Sequence, residues 1–517
     1  MRGEGAGISS KNMAICTSCR MPVSAEHVTR GGKVYLRKSC PSCGVSESLV
    51  STDAAAWQEK RDIWQYDEDE GPACNLMCTG CGHAHHPEMV FVDVTNRCNM
   101  NCPICIANIP AMGFKFEPPL SYFEAIFQSV SQMDPRPRIN LFGGEPTVRD
   151  DLPDIIELAR EYGLRPRIVT NGLRLENEDY CRMITDLKVP LLFSLDGLSA
   201  DVYDRLRRNP GAFDRKMRAL ENLKKHSKRR NTIMVCVARH INEDHMERLI
   251  RYCHDNRDIF RAMHLIPLTE TWEEGEFEAD VTTTIEDVER IVDNAFPDGH
   301  VDFLSAGLPG RLANLVNFTT SARMTFGGVH PNCESMTYLL SDGAQYRPLG
   351  DFTNGNLEDL LTDLVNASLE LEPFLSRLNP DRPAHRALGL LRCMGAVGPR
   401  LLRFVNWKKL LKGRPFAGIV GIALDLLRGR DLKESLRAHS VVGDVLRMVV
   451  LPFEEYHSVE SQRLRHCRAA FAYQDPDTEQ VGLVPVCAWS LFKKDIQRRI
   501  ARRYGDEITE EQTAAVT

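Results

Sequence analysis

The chain has 517 residues, of which 43% are hydrophobic and 26% are charged. This composition is typical of globular proteins with sizeable cores, and it excludes a disordered chain or a small disulfide scaffold. The formal net charge of -7 gives no indication of a nucleic-acid partner. The chain contains 17 cysteines, with a marked concentration in its first fifth. Clustered cysteines predict metal or redox chemistry.

The amino terminus does not have the basic stretch and apolar run of a secretory signal peptide. Thiols stay reduced in a chain that is not exported, so we expect metal-bound or free cysteines and not disulfides. The nearest candidate for a membrane span, residues 416–424, is too short to cross a bilayer. We therefore expect a cytoplasmic protein with at most a peripheral membrane contact.

The amino-terminal segment holds two C-x2-C pairs, Cys16 with Cys19 and Cys40 with Cys43. Each pair can form a tight turn whose thiolates face one ion, and four thiolates suit zinc or a single iron. Redox-active dithiols are the alternative, but they would need a strand–helix context that the Gly- and Ser-rich flanks do not supply. We expect a rubredoxin-like or zinc-ribbon-like metal domain over residues 1–50.

Two later segments share the spacing C-x3-C-x2-C: Cys74, Cys78 and Cys81, and then Cys98, Cys102 and Cys105. Three thiolates can hold three irons of a [4Fe-4S] cluster and leave the fourth iron open to a ligand. Only the second triplet follows an apolar, β-branched run, and so only this triplet is predicted to lie on a loop after a buried strand.

Residues 88–270 alternate between predicted strands and helices. The predicted helices include residues 121–133 and 152–162, and the six predicted strands are residues 89–94, 138–142, 165–170, 191–195, 233–237 and 263–266. Such alternation predicts an α/β fold with a partial, parallel (β/α)6 barrel. The Cys98 triplet then lies at the carboxyl end of the first strand, where α/β barrels place their active sites.

Four motifs follow successive predicted strands: the Cys98 triplet, Gly143-Gly144-Glu145, Thr170-Asn171-Gly172 and Ser194-Leu195-Asp196-Gly197. Each of the last three is by itself compatible with a simple turn. In this order, the four motifs resemble the core of the radical S-adenosylmethionine (SAM) superfamily. The resemblance implies that Glu145 pairs with the SAM ammonium and that the glycines let the backbone approach the ligand. It also implies that the SAM site is completed by Gly143, Gly144, Asn171, Ser194 and Asp196.

The chemistry implied by this resemblance begins at a [4Fe-4S] cluster on the catalytic cysteines Cys98, Cys102 and Cys105. The reduced cluster passes one electron to SAM, which yields methionine and a 5'-deoxyadenosyl radical that removes hydrogen from an unactivated C–H bond. The protein would exclude water and orient the carbon. An external electron donor is implied. Ile104 departs from the aromatic residue that often precedes the third cysteine in the family.

The other cysteines predict further metal sites. Cys74, Cys78 and Cys81 are candidate ligands of an auxiliary cluster, whose fourth ligand could come from His83, His85 or His86; a solvated histidine turn is the alternative. A second auxiliary cluster, or simple packing, is predicted for Cys333, Cys393, Cys467 and Cys487. Packing is the interpretation for Cys181, Cys236 and Cys253.

The order of these motifs, together with His330-Pro-Asn-Cys333 and His466-Cys467, is similar to tetraether lipid synthases and class D radical SAM methyltransferases. The resemblance implies C–C bond formation on a lipid chain. A methyltransferase of a pterin-like or other small molecule is one alternative, and a non-catalytic iron–sulfur electron carrier is another. We expect a linker and cluster loop over 51–87 and a mainly α extension over 271–517. In that extension, the basic and apolar segment 400–414 suits either a membrane-facing helix or a packed lid.

Overall fold

The structure is a computed structural model that describes residues 12–65, 74–80, 87–270, 277–319, 329–430, 432–455 and 457–504. Cys81 and the three histidines at 83, 85 and 86, predicted as cluster ligands, lie outside the described residues.

The amino-terminal region is a four-stranded antiparallel sheet followed by one helix. Its elements are β1 (Met13–Ile15), β2 (Pro22–Arg30), β3 (Lys33–Cys40), β4 (Gly44–Ser51) and α1 (Ala54–Trp64). Gly31 and Gly32 form the turn between β2 and β3 with φ of 58° and 72°, values that favour glycine. Helix α1 begins at Asp53, whose carboxylate accepts hydrogen bonds from two backbone N–H groups of the first turn.

The six predicted barrel strands are all present, and they pair in parallel in chain order. They are β5 (Met89–Thr95), β6 (Arg138–Gly143), β7 (Arg165–Thr170), β8 (Leu191–Ser194), β9 (Asn231–Val237) and β10 (Phe260–Pro267). The helices between them are α2 (Leu120–Ser131), α3 (Leu152–Glu161), α4 (Glu178–Asp186), α5 (Ala200–Arg207), α6 (Ala212–His226) and α7 (Met246–Asp255). The predicted fold class is confirmed.

The carboxyl-terminal region continues the barrel sheet, so the sheet crosses the predicted boundary at residue 270. Its strands are β11 (Leu304–Ser305), β12 (Ser335–Ser341), β13 (Tyr346–Pro348), β14 (Val445–Val450), β15 (Ala469–Gln474) and β16 (Val481–Pro485). β14 pairs in parallel with β10, and β15 pairs in parallel with β5. The six-stranded barrel core is thereby extended on both edges by strands from the far end of the chain.

The same region also supplies the helices expected of it. They are α8 (Ile285–Asp293), α9 (Leu308–Arg311), α10 (Ala313–Thr319), α11 (Leu357–Leu375), α12 (Pro383–Phe404), α13 (Trp407–Leu410), α14 (Pro415–Leu427), α15 (Leu432–His439), α16 (Ser461–Leu464) and α17 (Val486–Tyr504). In the parts of the chain that the structure describes, no helix has the length and apolar character needed to cross a membrane.

Polar contacts join the terminal elements to the barrel. The buried Asp93 carboxylate on β5 accepts hydrogen bonds from Trp489 Nε1 at 3.0 Å and Gln497 Nε2 at 2.6 Å, both on α17. The amino-terminal sheet contacts the segment before α16, where Glu460 lies 3.1 Å from His27 Nε2 and accepts a hydrogen bond from Asn12 Nδ2 at 2.5 Å. Both terminal regions are therefore integrated with the barrel.

Candidate active site

The loop after the carboxyl end of β5 carries Cys98, Cys102 and Cys105, all of them half-buried. The amide Nδ2 of Asn171, from the loop after β7, lies 3.9 Å from Cys98 Sγ. Burial raises the pKa of the Cys98 thiol to about 12, and the Glu145 carboxylate adds to that rise. Iron binding requires thiolates. This buried three-thiol set fits a [4Fe-4S] cluster, because bound iron would supply the positive charge that the thiolates need.

The Gly143-Gly144 pair packs directly against the start of this cysteine loop. A Cβ at either glycine would collide with a backbone carbonyl oxygen, that of Thr95 for Gly143 and that of Arg97 for Gly144. The N–H of Gly144 donates to Thr95 O at 2.7 Å. The protein's own backbone therefore requires glycine at both positions, and the approach of the ligand to this backbone stays a prediction.

Glu145 joins the loops after β6 and β7. The side chain is 1% exposed, and its Oε1 accepts hydrogen bonds from the hydroxyls of Thr147 and Thr170, each at 2.6 Å. Its Oε2 accepts the backbone N–H of Asn171 at 2.6 Å. The pairing of Glu145 with SAM stays a prediction. The observed contacts give this carboxylate a positioning role as well.

Ser194 and Asp196 each contact a cation that the sequence analysis did not identify, the buried Lys216 and the half-buried Arg207. Lys216 Nζ donates to the carbonyl oxygens of Asn171 and Ser194, each at 2.6 Å, and to Ser194 Oγ at 2.8 Å. Arg207 forms a two-pronged ion pair with Asp196, with N–O distances of 2.9 and 3.0 Å. Burial lowers the pKa of Lys216 to about 8. The two cations hold the loops after β7 and β8 in place.

Arg207 also faces the cysteine loop. Burial raises the pKa of Cys102, and the charge of Arg207 opposes that rise.

The sequence did hold a signal for Lys216, because this residue shares the buried face of α6 with Ala212, Ala219 and Leu223 at helical spacing. A lysine on an apolar stripe predicts a buried polar contact.

The four amino-terminal cysteines converge as expected. The sulfurs of Cys16, Cys19, Cys40 and Cys43 all lie within 4.8 Å of one another. Backbone N–H groups of Cys19 and Ser18 lower the pKa of the Cys16 thiol to about 6. Four thiols at this separation fit one tetrahedral ion.

Cys333, Cys467 and Cys487 form a second group. All three are half-buried, and they lie close enough for one thiol to affect the pKa of another. Arg463 Nη2 lies 3.8 Å from Cys333 Sγ. Cys467 comes two residues before Ala469, which pairs with Met89, the first residue of β5. The group therefore lies at the amino-terminal edge of the barrel strands, the edge opposite the Cys98 loop.

The structure corrects the expectation for Cys393. This residue is fully buried on α12 in an apolar cluster with Leu315, Phe318, Leu371 and Leu375. Burial alone raises the pKa of its thiol to about 11. Cys393 is thus a packing residue.

The remaining cysteines divide between packing and the cluster loop. Cys181 and Cys253 are fully buried in the barrel core, and Cys236 packs in a smaller apolar cluster, as predicted. Cys74 and Cys78 are half-buried, and the turn Cys78–Gly80 packs against β16, the strand that leads into Cys487. The predicted auxiliary-cluster loop thus lies beside the carboxyl-terminal cysteine group.

A cavity of about 310 Å³ lies in the lumen of the barrel. Each of the six barrel strands contributes at least one lining side chain. One side of the cavity is formed by residues 106–112 of the cysteine loop, and another by Cys487. The cavity therefore extends from the segment that follows Cys105 to Cys487.

Comparison with known families follows this division of the chain. Residues 92–253 match the radical SAM superfamily, and residues 8–52 match the HMPTM N-terminal zinc ribbon domain. Residues 92–253 form a radical SAM domain. With this domain the chain is an enzyme, and its cofactors include SAM and a [4Fe-4S] cluster. The electron-carrier alternative is not supported.

The relatives differ in how much of the chain they match. The 7,8-dihydro-6-hydroxymethylpterin dimethyltransferase of Methanocaldococcus jannaschii is 24% identical over 96% of each chain. Fe-coproporphyrin III synthase of Methanosarcina barkeri is 36% identical, but over only 26% of this chain and 33% of its own length. Among solved structures, SuiB of Streptococcus suis bound to S-adenosylmethionine aligns with 40% of this chain and 46% of its own, at 16% identity and a TM-score of 0.31.

Proposed function

We propose that this enzyme is a radical SAM methyltransferase that methylates a ring carbon of a pterin-like substrate. The observation that carries the proposal is the lumen cavity of about 310 Å³, which lies between the cysteine loop and Cys487. This volume is at the small end of ligand pockets and suits one bicyclic ring. The similarity to a pterin dimethyltransferase along 96% of the chain supports the same substrate class.

Each metal group has a role in this proposal. Cys98, Cys102 and Cys105 hold the [4Fe-4S] cluster that reduces SAM, and this cofactor supplies the species that removes hydrogen from the substrate. Glu145 and Asn171, with Gly143, Gly144, Ser194 and Asp196, shape the SAM site. An auxiliary cluster is held at the other edge of the barrel by the group Cys333, Cys467 and Cys487, beside Cys74 and Cys78. Zinc is held by Cys16, Cys19, Cys40 and Cys43.

The proposed reaction replaces one substrate C–H bond with a C–CH3 bond. When SAM is also the methyl donor, two SAM molecules and two electrons are consumed. The products are the methylated ring, methionine, 5'-deoxyadenosine and S-adenosylhomocysteine, which balances atoms and charge. The electrons come from an external reductant. The barrel residues bind the ring, orient its reacting carbon and exclude water.

The test uses anaerobically reconstituted enzyme with reductant, a dihydropterin and SAM that carries a deuterated methyl group. We expect 5'-deoxyadenosine and a methylated pterin, both detected by mass spectrometry. A deuterated methyl group in the product identifies SAM as the donor, and an unlabelled one indicates another one-carbon donor. Formation of 5'-deoxyadenosine without any pterin product would contradict the proposed substrate.

Lipid C–C coupling remains a second candidate because apolar side chains are exposed on the surface. Phe416 on α14 is 79% exposed, and Leu391 and Leu402 on α12 are 64% and 52% exposed. The basic segment 400–414 contains Leu402 and lies between Leu391 and Phe416 in the chain, which suits contact with anionic headgroups. Sedimentation with vesicles containing anionic lipid, and lipid extracts of a deletion strain, test this candidate. Altered lipids with unchanged pterins would favour it over methyl transfer.

A further inference from the structure

The lumen cavity contains a layer of three polar side chains at the level nearer the amino ends of the strands. They are Asn140 on β6, Arg167 on β7 and His264 on β10, with exposures of 0%, 8% and 9%. Two residues further along each strand, Phe142, Val169 and Ile266 form an apolar layer in the same cavity. A ligand in the lumen would therefore have a polar end and an apolar body.

The hydrogen-bonding capacity of the polar layer is only partly used. Arg167 Nε donates to Asn140 Oδ1 at 2.9 Å, across the register pair formed by these two residues. Within the described part of the chain, Asn140 Nδ2 and His264 Nδ1 are buried without a hydrogen-bond partner. Buried polar atoms are rarely left unpaired, so these atoms indicate that a ligand completes the layer.

The charge of the layer is positive and is not balanced locally. No carboxylate among the described residues forms an ion pair with Arg167. Burial lowers the pKa of Arg167 to about 10, and the nearby charges of Arg138, Arg261 and Arg447 add to this lowering. Burial and the neighbouring arginines lower the pKa of His264 to about 3, so the imidazole is neutral near pH 7. The layer thus offers a cation, an amide donor and a neutral imidazole.

Aromatic rings form one wall beside this layer. Phe471 on β15 stacks on Trp489 of α17, with ring centroids 5.0 Å apart and an interplanar angle of 11°. Phe91 and Phe142 pack around Phe471 at centroid distances of 5.3 and 5.7 Å. All four rings line the cavity. Aromatic walls of this kind bind flat ring systems by stacking.

We infer that Asn140, Arg167 and His264 form the recognition site for the oxo and ring-nitrogen edge of a planar nitrogen heterocycle. The inference rests on the proposed function and extends it to named specificity residues. Arg167 and Asn140 donate to the acceptor edge, the aromatic wall contacts the ring, and the opposite side of the ring faces the cysteine loop. A hydrocarbon chain in this position would offer the buried Arg167 neither a negative charge nor a hydrogen-bond acceptor, and leaving a buried cation without such compensation is costly.

The experiment measures binding and SAM cleavage on the same reconstituted holoenzyme. Binding of 6-hydroxymethylpterin is followed by its fluorescence, anaerobically, with SAM and without reductant. We expect Arg167→Met and Asn140→Leu each to weaken binding at least about tenfold, equivalent to about 1.4 kcal/mol, because each variant removes hydrogen-bond donors from the acceptor edge of the ring. Arg167→Lys keeps the charge but not the planar fork, and we expect an intermediate loss. The matched control is Arg261→Met, an exposed arginine of β10 that does not line the cavity, with a change of less than about twofold.

Reductive SAM cleavage, measured as 5'-deoxyadenosine, separates the possible failures. Cleavage at the wild-type level in the variants shows that the fold and the cluster are intact. If Arg167→Met or Asn140→Leu binds the pterin as tightly as wild type, the recognition site is refuted while the proposed function stands. If wild type cleaves SAM but does not bind the pterin, both are refuted. Should Arg167→Met fail to take up iron, Asn140→Leu and Arg167→Lys still decide the result.

Discussion

The two edges of the barrel carry cysteine groups of similar composition but of different origin. At the carboxyl edge, Cys98, Cys102 and Cys105 lie on one loop within eight consecutive residues, 98–105. At the amino edge, Cys467 and Cys487 are close in sequence, but Cys333 lies more than a hundred residues before both of them. The first group is formed by residues that are close in sequence. The second group is formed only because strands of the carboxyl-terminal region pair with the edges of the barrel sheet.

The difference extends to the surrounding charges. Near the carboxyl edge, Arg207 and Lys216 come from α5 and α6, the helices that follow β8. At the amino edge, Arg463 lies 3.3 Å from Glu454, and burial raises the pKa of that carboxyl to about 8. The first site is thus completed by elements of the barrel, and the second depends on the carboxyl-terminal extension. Substitutions at the two edges should therefore have separable effects.

The largest effect is expected at the carboxyl edge. Cys98→Ala removes one of the three thiolates proposed to hold the SAM-reducing cluster, so formation of 5'-deoxyadenosine should fall by about a thousandfold or more. The assay is chromatography of the reaction products after anaerobic reconstitution. Cys253→Ala, at a buried packing cysteine, is the control and should retain cleavage. Substantial cleavage by Cys98→Ala would remove this triplet from the proposed catalytic centre.

The second-largest effect is expected on the formation of methylated product and not on the cleavage of SAM. Cys467→Ala disrupts the amino-edge group, so iron content and methylated product should fall, the product at least about tenfold, while SAM cleavage stays within about twofold. Cys393→Ala is the matched control because its thiol packs among apolar side chains, and iron content should not change. Equal iron loss in both variants would argue against a separate cluster at the amino edge.

A smaller effect is expected when Lys216, which contacts the loops after β7 and β8, is replaced. Lys216→Met removes hydrogen bonds to Asn171 and Ser194, so SAM affinity should fall about tenfold with little change in iron content. Equilibrium dialysis with labelled SAM measures the affinity. Lys225→Met, on an exposed part of the same helix, should bind SAM as wild type does. Unchanged affinity in Lys216→Met would show that these loops hold their position without the lysine.

The smallest effect on SAM cleavage is expected from the amino-terminal metal site. Cys43→Ser should lower zinc content and increase protease cleavage within residues 12–51, because a structural zinc site contributes directly to folding. Cleavage of SAM should stay within about threefold, since this sheet is separate from the Cys98 loop. Ser42→Ala, at the neighbouring exposed residue, is the control. Complete loss of SAM cleavage in Cys43→Ser would show that the two regions are coupled.

Sequence patterns were most informative where chemistry and chain order coincide. The cluster loop and the four-cysteine domain have their residues within short segments, so spacing predicted them. The motifs after β6, β7 and β8 were predicted by their order, which resembles the radical SAM core. The six barrel strands were also predicted, because buried parallel strands are continuous apolar runs. The reason for Gly143 and Gly144 was not predicted, since it depends on the backbone that packs against them.

The sequence by itself determined the barrel, the position of the Cys98 loop and the four-cysteine amino-terminal domain, because local periodicity and spacing carry that information. Only the tertiary structure showed that Cys393 packs apart from Cys333 and that Asn140 meets Arg167. Parallel pairing aligns side chains that are 27 residues apart in the chain, and no local pattern records that register. Strand addition at the sheet edges likewise brings the far end of the chain to the lumen, where the substrate is proposed to bind.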